Sequence, residues 1–364
     1  MTQSSVLSPH NSSLWLWLVL AFVIFGGIAN GMIAWAATFR VAQARWTPAI
    51  NRILHATLYF IPVLAVLLVV LLIGAKNYVP WIAHPDPLRG AWLNLPFMIA
   101  RNLVAMGALW VLWFLLVRWS LAADAKVSRG EEITRAEHKR LNSIAVAVVM
   151  VYTVASSVVS FDFMMSLTPG WSSTMFAPYY FCTNIYVAMA VTILLCAWLR
   201  RKTGVGEHIQ AQQFQDMGNL LLAFSLFNMG LFFAQYLTIW YESLPEETGF
   251  MILRYLRGPW PKLGWAAFIV GYAIPFVLLQ SRTLKRTPRL VCPVAVLVVL
   301  GVSLERYVLV VPSLEPTRLL LNPWGIIGML GFAGVFILTI GMFLRRYSPV
   351  SAADAALSEL EEAE

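Results

Sequence analysis

The stretch LWLWLVLAFVIFGGIANGMIAWAA, residues 14–37, contains no charged side chain. A helix needs about 20 apolar residues to cross the hydrocarbon core of a membrane. Because the stretch lacks a basic n-region and a small-residue cleavage pattern, we expect a permanent helix rather than a signal peptide. Comparable apolar blocks follow along the chain at 53–75, 91–117, 143–166, 175–199, 217–241, 263–281, 290–311 and 324–344. The sequence therefore predicts an all-α, polytopic membrane protein, a bundle of about nine transmembrane helices.

The overall composition agrees with a chain that is almost entirely embedded in the membrane. Hydrophobic residues make up 59% of it and charged residues only 12%, whereas soluble domains have roughly 25% charged residues. We expect a single transmembrane domain over 1–347, followed by a disordered acidic tail over 348–364. Within the domain, the charged loop 118–142 is predicted to carry a solvated surface helix. The aromatic segment 242–262 is predicted to lie along the outer membrane interface.

Positive charge is distributed unevenly between the two sides of the predicted bundle. Of the 26 Lys and Arg residues, 18 fall in alternate loops and at the C-terminal end, and 7 fall on the opposite side, in the intervening loops or near the outer end of a span. The 18 lie within 40–52, 118–140, 200–202, 282–289 and 345–346. By the positive-inside rule, the N-terminus is periplasmic and the C-terminus cytoplasmic. This topology accounts for the net charge of +8 without a nucleic-acid partner.

Arg101 lies about ten residues into the third predicted helix, near mid-depth, whereas Arg306 lies near the outer end of the eighth. A charged side chain in the bilayer centre costs about 2.5–3.5 kcal/mol on insertion scales, so its presence needs a reason. One hypothesis is a fixed positive charge that tunes a proton-carrying carboxylate. The other is a structural ion pair with an acid on a neighbouring helix, and the sequence leaves both open.

Polar residues also recur along the sixth predicted helix. Asn228, Gln235 and Glu242 are seven residues apart and therefore share one helical face over roughly 21 Å. Such a stripe lines a proton or quinol path, or it supplies interhelical hydrogen bonds. Together with acidic and histidine residues near the ends of other spans, it defines the candidate residues for proton transfer. These candidates are Asp162, Glu242, Asp216, Arg101, His55, Gln235 and Asn228.

Carboxylates and aromatic rings gather near the predicted outer face. A carboxylate at that depth can receive a proton from an oxidised quinol, and an aromatic ring can stack on the quinol ring. The members of this predicted outer cluster are Glu246, Glu247, Tyr179, Trp240, Tyr241 and Glu305. Glu305 is also expected to pair locally with Arg306. Because no histidine pair can hold a haem and no cysteine pair has metal-binding spacing, we expect redox centres only in partner subunits.

Five stretches resemble, in the same order, the NrfD-like (polysulfide reductase C-type) membrane subunits. The two most specific are SFDFMMSLTPGWSSTMF, residues 160–176, and FAQYLTIWYESLPEET, residues 233–248. The others are RWTPAINRI at 45–53, LNLPFMIARN at 93–102 and FQDMGNLLLAF at 214–224. The chain is most similar to the ActF branch, which belongs to alternative complex III. It departs from the family pattern at Gly170, where His is usual, and at Asn219, where Lys is frequent.

The resemblance implies a subunit of a respiratory electron-transport complex in the bacterial inner membrane. Such a complex oxidises menaquinol or ubiquinol at the periplasmic side and passes electrons to cytochrome c or another acceptor. The implied partners are a second NrfD-like subunit, a periplasmic iron–sulfur and molybdopterin-like subunit, multihaem cytochrome c subunits and lipid. The resemblance also implies that buried polar chains carry protons across the membrane. No catalytic residue is assigned, since we do not expect this chain to be catalytic alone.

Two other functions remain open at the level of sequence. A secondary transporter would bind substrate at Arg101 and the polar sixth helix, although transporters usually show paired broken helices in two related halves. A purely structural anchor would need none of the polar residues for turnover.

Overall fold

A computed structural model describes residues 9–44, 46–85, 89–168, 170–201, 209–348 and 350–351, without the side chains of 9–13 and 246. The helices, numbered in chain order, are α1 Leu14–Val41, α2 Pro48–Tyr59 with Ile61–Ile73, α3 Leu95–Val127, α4 Arg135–Phe163, α5 Phe176–Leu199, α6 Ala211–Glu242, α7 Pro245–Tyr255, α8 Pro261–Leu278, α9 Arg282–Arg286, α10 Pro288–Leu314 and α11 Pro323–Arg346. Within the described residues, eight of these helices are long and apolar enough to cross a membrane, and the two halves of α2, bent by 41°, make a ninth. The predicted all-α membrane bundle is therefore confirmed.

The helix starts follow from local sequence. Proline stands in the first turn of most of the helices, where its missing N–H costs no hydrogen bond. The Asn94 side chain accepts a hydrogen bond from the Phe97 N–H at 2.9 Å and so caps α3. Thr134 and Glu137 form a reciprocal capping box at the start of α4. These signals set the helix boundaries before any tertiary contact forms.

The centre of the bundle is formed by α1, α5 and α10. Their most apolar windows are 89%, 72% and 67% buried, whereas those of α6 and α11 are only 22% and 17% buried. Glycines allow the central helices to approach closely. A Cβ atom on Gly301 of α10 would lie 2.2 Å from Gly271 Cα of α8, and one on Gly31 of α1 would lie 2.3 Å from the Asn184 carbonyl oxygen of α5. Small residues at such crossings permit the backbone contact that holds membrane helices together.

Contacts between loops show which helix ends share a side. At one end Arg52 pairs with Asp124, and Ser351 bonds to the same Asp124 carboxylate. At the other end the Trp260 indole donates to the Pro316 carbonyl. We call these the basic end and the aromatic end of the bundle. The loops joined by these contacts are ones that the charge pattern places on the same side.

One segment differs in detail from the prediction: the charged stretch 118–142 is not a separate surface helix, because α3 continues to Val127 and α4 begins at Arg135. The segment 242–262 contains α7, which packs against its neighbours through buried Phe250 and Arg254, and its position along the membrane interface stays a prediction. Of the predicted tail, the placed residues 348, 350 and 351 continue from α11, and 352–364 lie outside the described residues, so the disordered tail stays a prediction.

Candidate functional site

A buried carboxylate, Glu305 of α10, forms the centre of the candidate site. Its side chain is 3% exposed, and the Tyr272 hydroxyl donates a hydrogen bond to Glu305 Oε2 at 2.5 Å. Tyr272 lies in a π-helical turn, Ile269–Ala273, within α8. Turns of this kind occur frequently at functional sites, because the extra residue changes the direction of the side chains. Here the π turn supplies the donor for the buried acid.

A line of polar groups continues from Tyr272 across two further helices. The Tyr272 hydroxyl lies 3.5 Å from Thr183 Oγ1 of α5, which in turn lies 3.0 Å from Asn228 Oδ1 of α6. The Asn228 amide donates to the Phe224 carbonyl oxygen at 2.7 Å. These side chains are all buried. The network therefore joins four helices, α5, α6, α8 and α10, within the bundle interior.

Tyrosine rings surround this network. Tyr186 stacks on Tyr272 with ring centroids 5.3 Å apart, and its hydroxyl donates to the Gly271 carbonyl oxygen at 2.8 Å. Tyr179 and Tyr255 lie close enough to Glu305 to interact with its charge. Of the predicted outer cluster, Tyr179 and Glu305 are thus brought together, and the surrounding rings separate the carboxylate from lipid.

Arg306 points away from Glu305, so the expected local ion pair is wrong. Its guanidinium donates to Asn184 Oδ1 at 3.1 Å and to the Tyr180 carbonyl oxygen at 3.3 Å, and it lies over the Tyr180 ring. No Asp or Glu carboxylate of the described residues lies within 4.0 Å of it. The physical reason is that consecutive helical residues project about 100° apart.

Three buried polar atoms near this helix have no hydrogen-bond partner among the described residues. They are Glu305 Oε1, Arg306 Nη1 and Asn184 Nδ2. Buried polar groups left over by the protein are commonly satisfied by internal water. The interior around Glu305 therefore offers binding positions for water next to a carboxylate.

A second buried acid, Asp162 of α4, is held by Arg101 of α3. Arg101 Nε donates to Asp162 Oδ2 at 2.7 Å, and Nη2 pairs with Oδ1. The Asn102 amide adds a hydrogen bond to Oδ2 at 2.5 Å, and Arg101 Nη1 donates to the Trp92 carbonyl oxygen at 2.7 Å. Asp162 is 1% exposed, so the carboxylate is buried together with its partners. The ion pair with an acid on a neighbouring helix, one of the two hypotheses for Arg101, is present in the structure.

An aromatic and cationic stack at the aromatic end was missed by the sequence analysis. Trp171 lies parallel to Phe250 at 3.7 Å, and the Arg254 guanidinium lies 3.5 Å from the Phe250 ring centroid. Arg254 also donates to Ser313 Oγ at 2.6 Å. Burial lowers the pKa of Arg254 to about 9, which leaves it protonated at neutral pH. The sequence did not predict this stack because its residues come from three segments that are far apart in the chain, and each segment by itself resembles an interfacial loop.

The family of the chain follows from its sequence taken whole. The sequence profile of the family described as "NrfD: Polysulphide reductase, NrfD" matches residues 6–315. The chain belongs to the NrfD family. Members of this family are membrane subunits of quinol-linked redox complexes and associate with redox subunits. A search of curated proteins found no match. The matched region contains α1 to α10 and both buried acids, and it leaves α11 outside.

Several predicted site residues of this NrfD chain lie on its surface. Trp240 is 64% exposed and Tyr241 is 83% exposed, and Glu242 is exposed at the end of α6. Glu247 is half-buried on α7, and the side chain of Glu246 lies outside the described residues. The predicted outer cluster is therefore divided, with one part inside the bundle and the other on its surface. A role for the surface part stays a prediction.

The remaining proton-transfer candidates occupy separate places in the NrfD bundle. Gln235 is buried at 4% exposure on the same helix as Asn228, so the predicted stripe faces the interior over its first half. Asp216, near the start of α6, accepts a hydrogen bond from Gln212 at 3.0 Å. His55 is buried against the Trp113 ring near the basic end, with ring centroids 5.4 Å apart. Within the described residues, no three His, Cys, Asp or Glu side chains form a metal-binding group.

Gly170, one of the two departures from the family pattern, has a conformational reason. Its φ angle is +84°, a left-handed backbone conformation that residues other than glycine rarely adopt. Arg89 donates to its carbonyl oxygen at 3.1 Å and holds the turn. The loop therefore depends on a glycine here.

Proposed function

We propose that this chain is the haem-free membrane subunit of a quinol-oxidising respiratory complex of the alternative complex III type, similar to ActF. In this proposal the subunit supports quinol oxidation at the periplasmic side and conducts protons through the bundle. The aromatic end is periplasmic and the basic end cytoplasmic, as the positive-inside rule requires for a bacterial inner membrane.

The observation that carries the proton-conducting part is the buried Glu305 carboxylate with its Tyr272 hydrogen bond. A buried acid is costly unless it is paired or changes its protonation, and intramembrane acids commonly mark proton pathways. The hydroxyls of Tyr272 and Thr183 both donate and accept, so a proton can pass between Glu305 and these two groups, while the Asn228 amide orients the Thr183 hydroxyl without taking up a proton. Unpartnered Glu305 Oε1 supplies a position for a water molecule on the other side.

The redox chemistry belongs, in this proposal, to the partners. A second NrfD-like subunit, a periplasmic iron–sulfur and molybdopterin-like subunit, and multihaem cytochrome c subunits complete the complex. Menaquinol or ubiquinol is the electron donor. The family membership supports partners of this kind in general, since NrfD proteins work within quinol-linked complexes.

The test is the proton yield of the intact complex in proteoliposomes. We expect Glu305→Gln to lower the number of protons translocated per quinol oxidised, because glutamine keeps the shape but cannot take up a proton. Glu132→Gln, which changes an exposed carboxylate, should leave the yield at the wild-type value. An unchanged yield in Glu305→Gln would contradict proton conduction through this acid and favour the structural-anchor reading.

A further inference from the structure

A second polar cluster, buried except for the half-buried Asp124, lies at the basic end of the bundle. Arg52 of α2 is 1% exposed and pairs with Asp124 of α3. His55 lies one helical turn further along α2 and is also buried. Ser120 lies one turn before Asp124, is 2% exposed, and its Oγ has no hydrogen-bond partner among the described residues. The cluster thus holds a buried hydroxyl and an imidazole directly behind an ion pair.

Ser351, five residues beyond the end of α11 at Arg346, contacts this cluster and is fully buried. Its hydroxyl donates to Asp124 Oδ1 at 3.0 Å, while Arg52 pairs with Asp124 Oδ2. Its backbone N–H donates to the Pro48 carbonyl oxygen at 3.4 Å. These hydrogen bonds hold Ser351 against the ion pair.

We propose that the cluster of Arg52, His55, Ser120 and Asp124 is a water-entry site, and that Ser351 is its closure. Asp124 is itself 18% exposed; when Ser351 moves away, Asp124 loses one of its donors and water reaches the buried Ser120 hydroxyl behind it. Beyond them lies the His55 imidazole, a group that can accept and release a proton. The idea that protons enter the bundle through this site rests on the proposed function, whereas the closure of the site by Ser351 does not.

The test measures water access directly by thiol labelling. The intact complex carries Ser120→Cys, with the half-buried Cys292 replaced by Ala; Cys182 and Cys196 are buried. A membrane-impermeant maleimide is added to vesicles that expose the basic end. We expect Ser351→Ala, and a chain ending at Val350, to label at least tenfold faster than the parent. Ser348→Ala is the matched control, because Ser348 is exposed and its side-chain hydrogen bonds within the described residues go to the Val350 backbone, and it should label at the parent rate.

Equal labelling rates in the parent and both Ser351 variants would overturn the closure. Hydrogen–deuterium exchange of the α3 peptide around Asp124 gives a second reading that needs no introduced cysteine, should Ser120→Cys fail to assemble. Faster exchange in Ser351→Ala is the expected result, and identical exchange contradicts the proposal. Neither measurement uses quinol or a proton gradient. A proton yield that is insensitive to Glu305→Gln would therefore defeat the proposed function and leave the closure standing.

Discussion

Individual buried charges in this protein differ in how they are neutralised. Asp162 has a bidentate partner in Arg101 and an additional amide donor in Asn102. Glu305 has one hydroxyl donor and no cation of the described residues within 4.0 Å. A complete pair mainly holds two helices in register, whereas the Glu305 carboxylate keeps one oxygen, Oε1, without a hydrogen-bond partner among the described residues. We therefore expect a mainly structural role for the first, and we propose proton transfer only for the second.

The buried Arg101–Asp162 pair should be sensitive to the loss of either partner. Asp162→Ala leaves the Arg101 guanidinium without its carboxylate in a buried site, which typically costs about 3–5 kcal/mol of folding free energy. We expect a lower apparent Tm in detergent for Asp162→Ala. The double variant Arg101→Met with Asp162→Leu should recover part of the loss, since no lone charge remains. A double variant no more stable than Asp162→Ala would contradict this account.

Tyr272→Phe tests the donor rather than the acid. Removing the hydroxyl leaves Glu305 without its hydrogen bond, and an unsatisfied buried group costs about 1–3 kcal/mol. We expect a lower apparent Tm together with a lower proton yield of the reconstituted complex. Tyr236→Phe, at an exposed ring on α6, is the control and should change neither quantity.

At the scale of elements, helix crossings bring the polar groups within reach of each other. Gly271 lies in the π turn next to Tyr272, and Gly301 lies one turn before Glu305. Because these two glycines bring the α8 and α10 backbones into contact, the Tyr272 hydroxyl can reach the carboxylate. The crossing and the network are therefore one structural feature.

Gly301→Ala should disturb both the crossing of α8 with α10 and the hydrogen bond between Tyr272 and Glu305. The added Cβ would meet Gly271 backbone atoms at 2.2–2.3 Å, so the helices must separate. We expect a lower apparent Tm and a lower proton yield than in the parent complex. Gly334→Ala is the matched control on a lipid-facing helix, where a Cβ meets nothing within 4 Å. Equal effects from both substitutions would show that the change in helix propensity, and not the helix crossing, causes the loss of stability and proton yield.

At the scale of the whole molecule, the chain has a buried centre and sparsely packed outer helices. Helices α6 and α11 expose most of their apolar residues to lipid or to partner subunits. We propose that the redox centres lie in partner subunits, and we therefore expect the isolated chain to be colourless.

Purification through a tag on this chain in mild detergent tests the assembly. We expect mass spectrometry to find iron–sulfur and multihaem proteins and a second NrfD-like chain, with haem bands in visible spectra and cluster signals in EPR spectra. A lone, colourless polypeptide that takes up substrate in proteoliposomes would instead indicate a secondary transporter.

The sequence by itself determined the membrane class, the spans and the grouping of loops at two ends. These properties are local: the length of an apolar block, a capping residue or the charge of a loop acts without reference to distant residues. The expected ion pair between Glu305 and Arg306 was wrong because it relied on their being neighbours in the chain. Their side chains point towards different helices, Glu305 towards α8 and Arg306 towards α5.

Only the tertiary structure decided which polar groups meet. Arg101 and Asp162 are 61 residues apart, Tyr272 and Glu305 are 33 apart, and Asp124 and Ser351 are 227 apart. Each contact depends on how two helices rotate and cross, which is set by the packing of many side chains at once. For this reason the sequence could name Asn228, Asp162 and Glu305 as candidates, while their partners came from the packing of the helices.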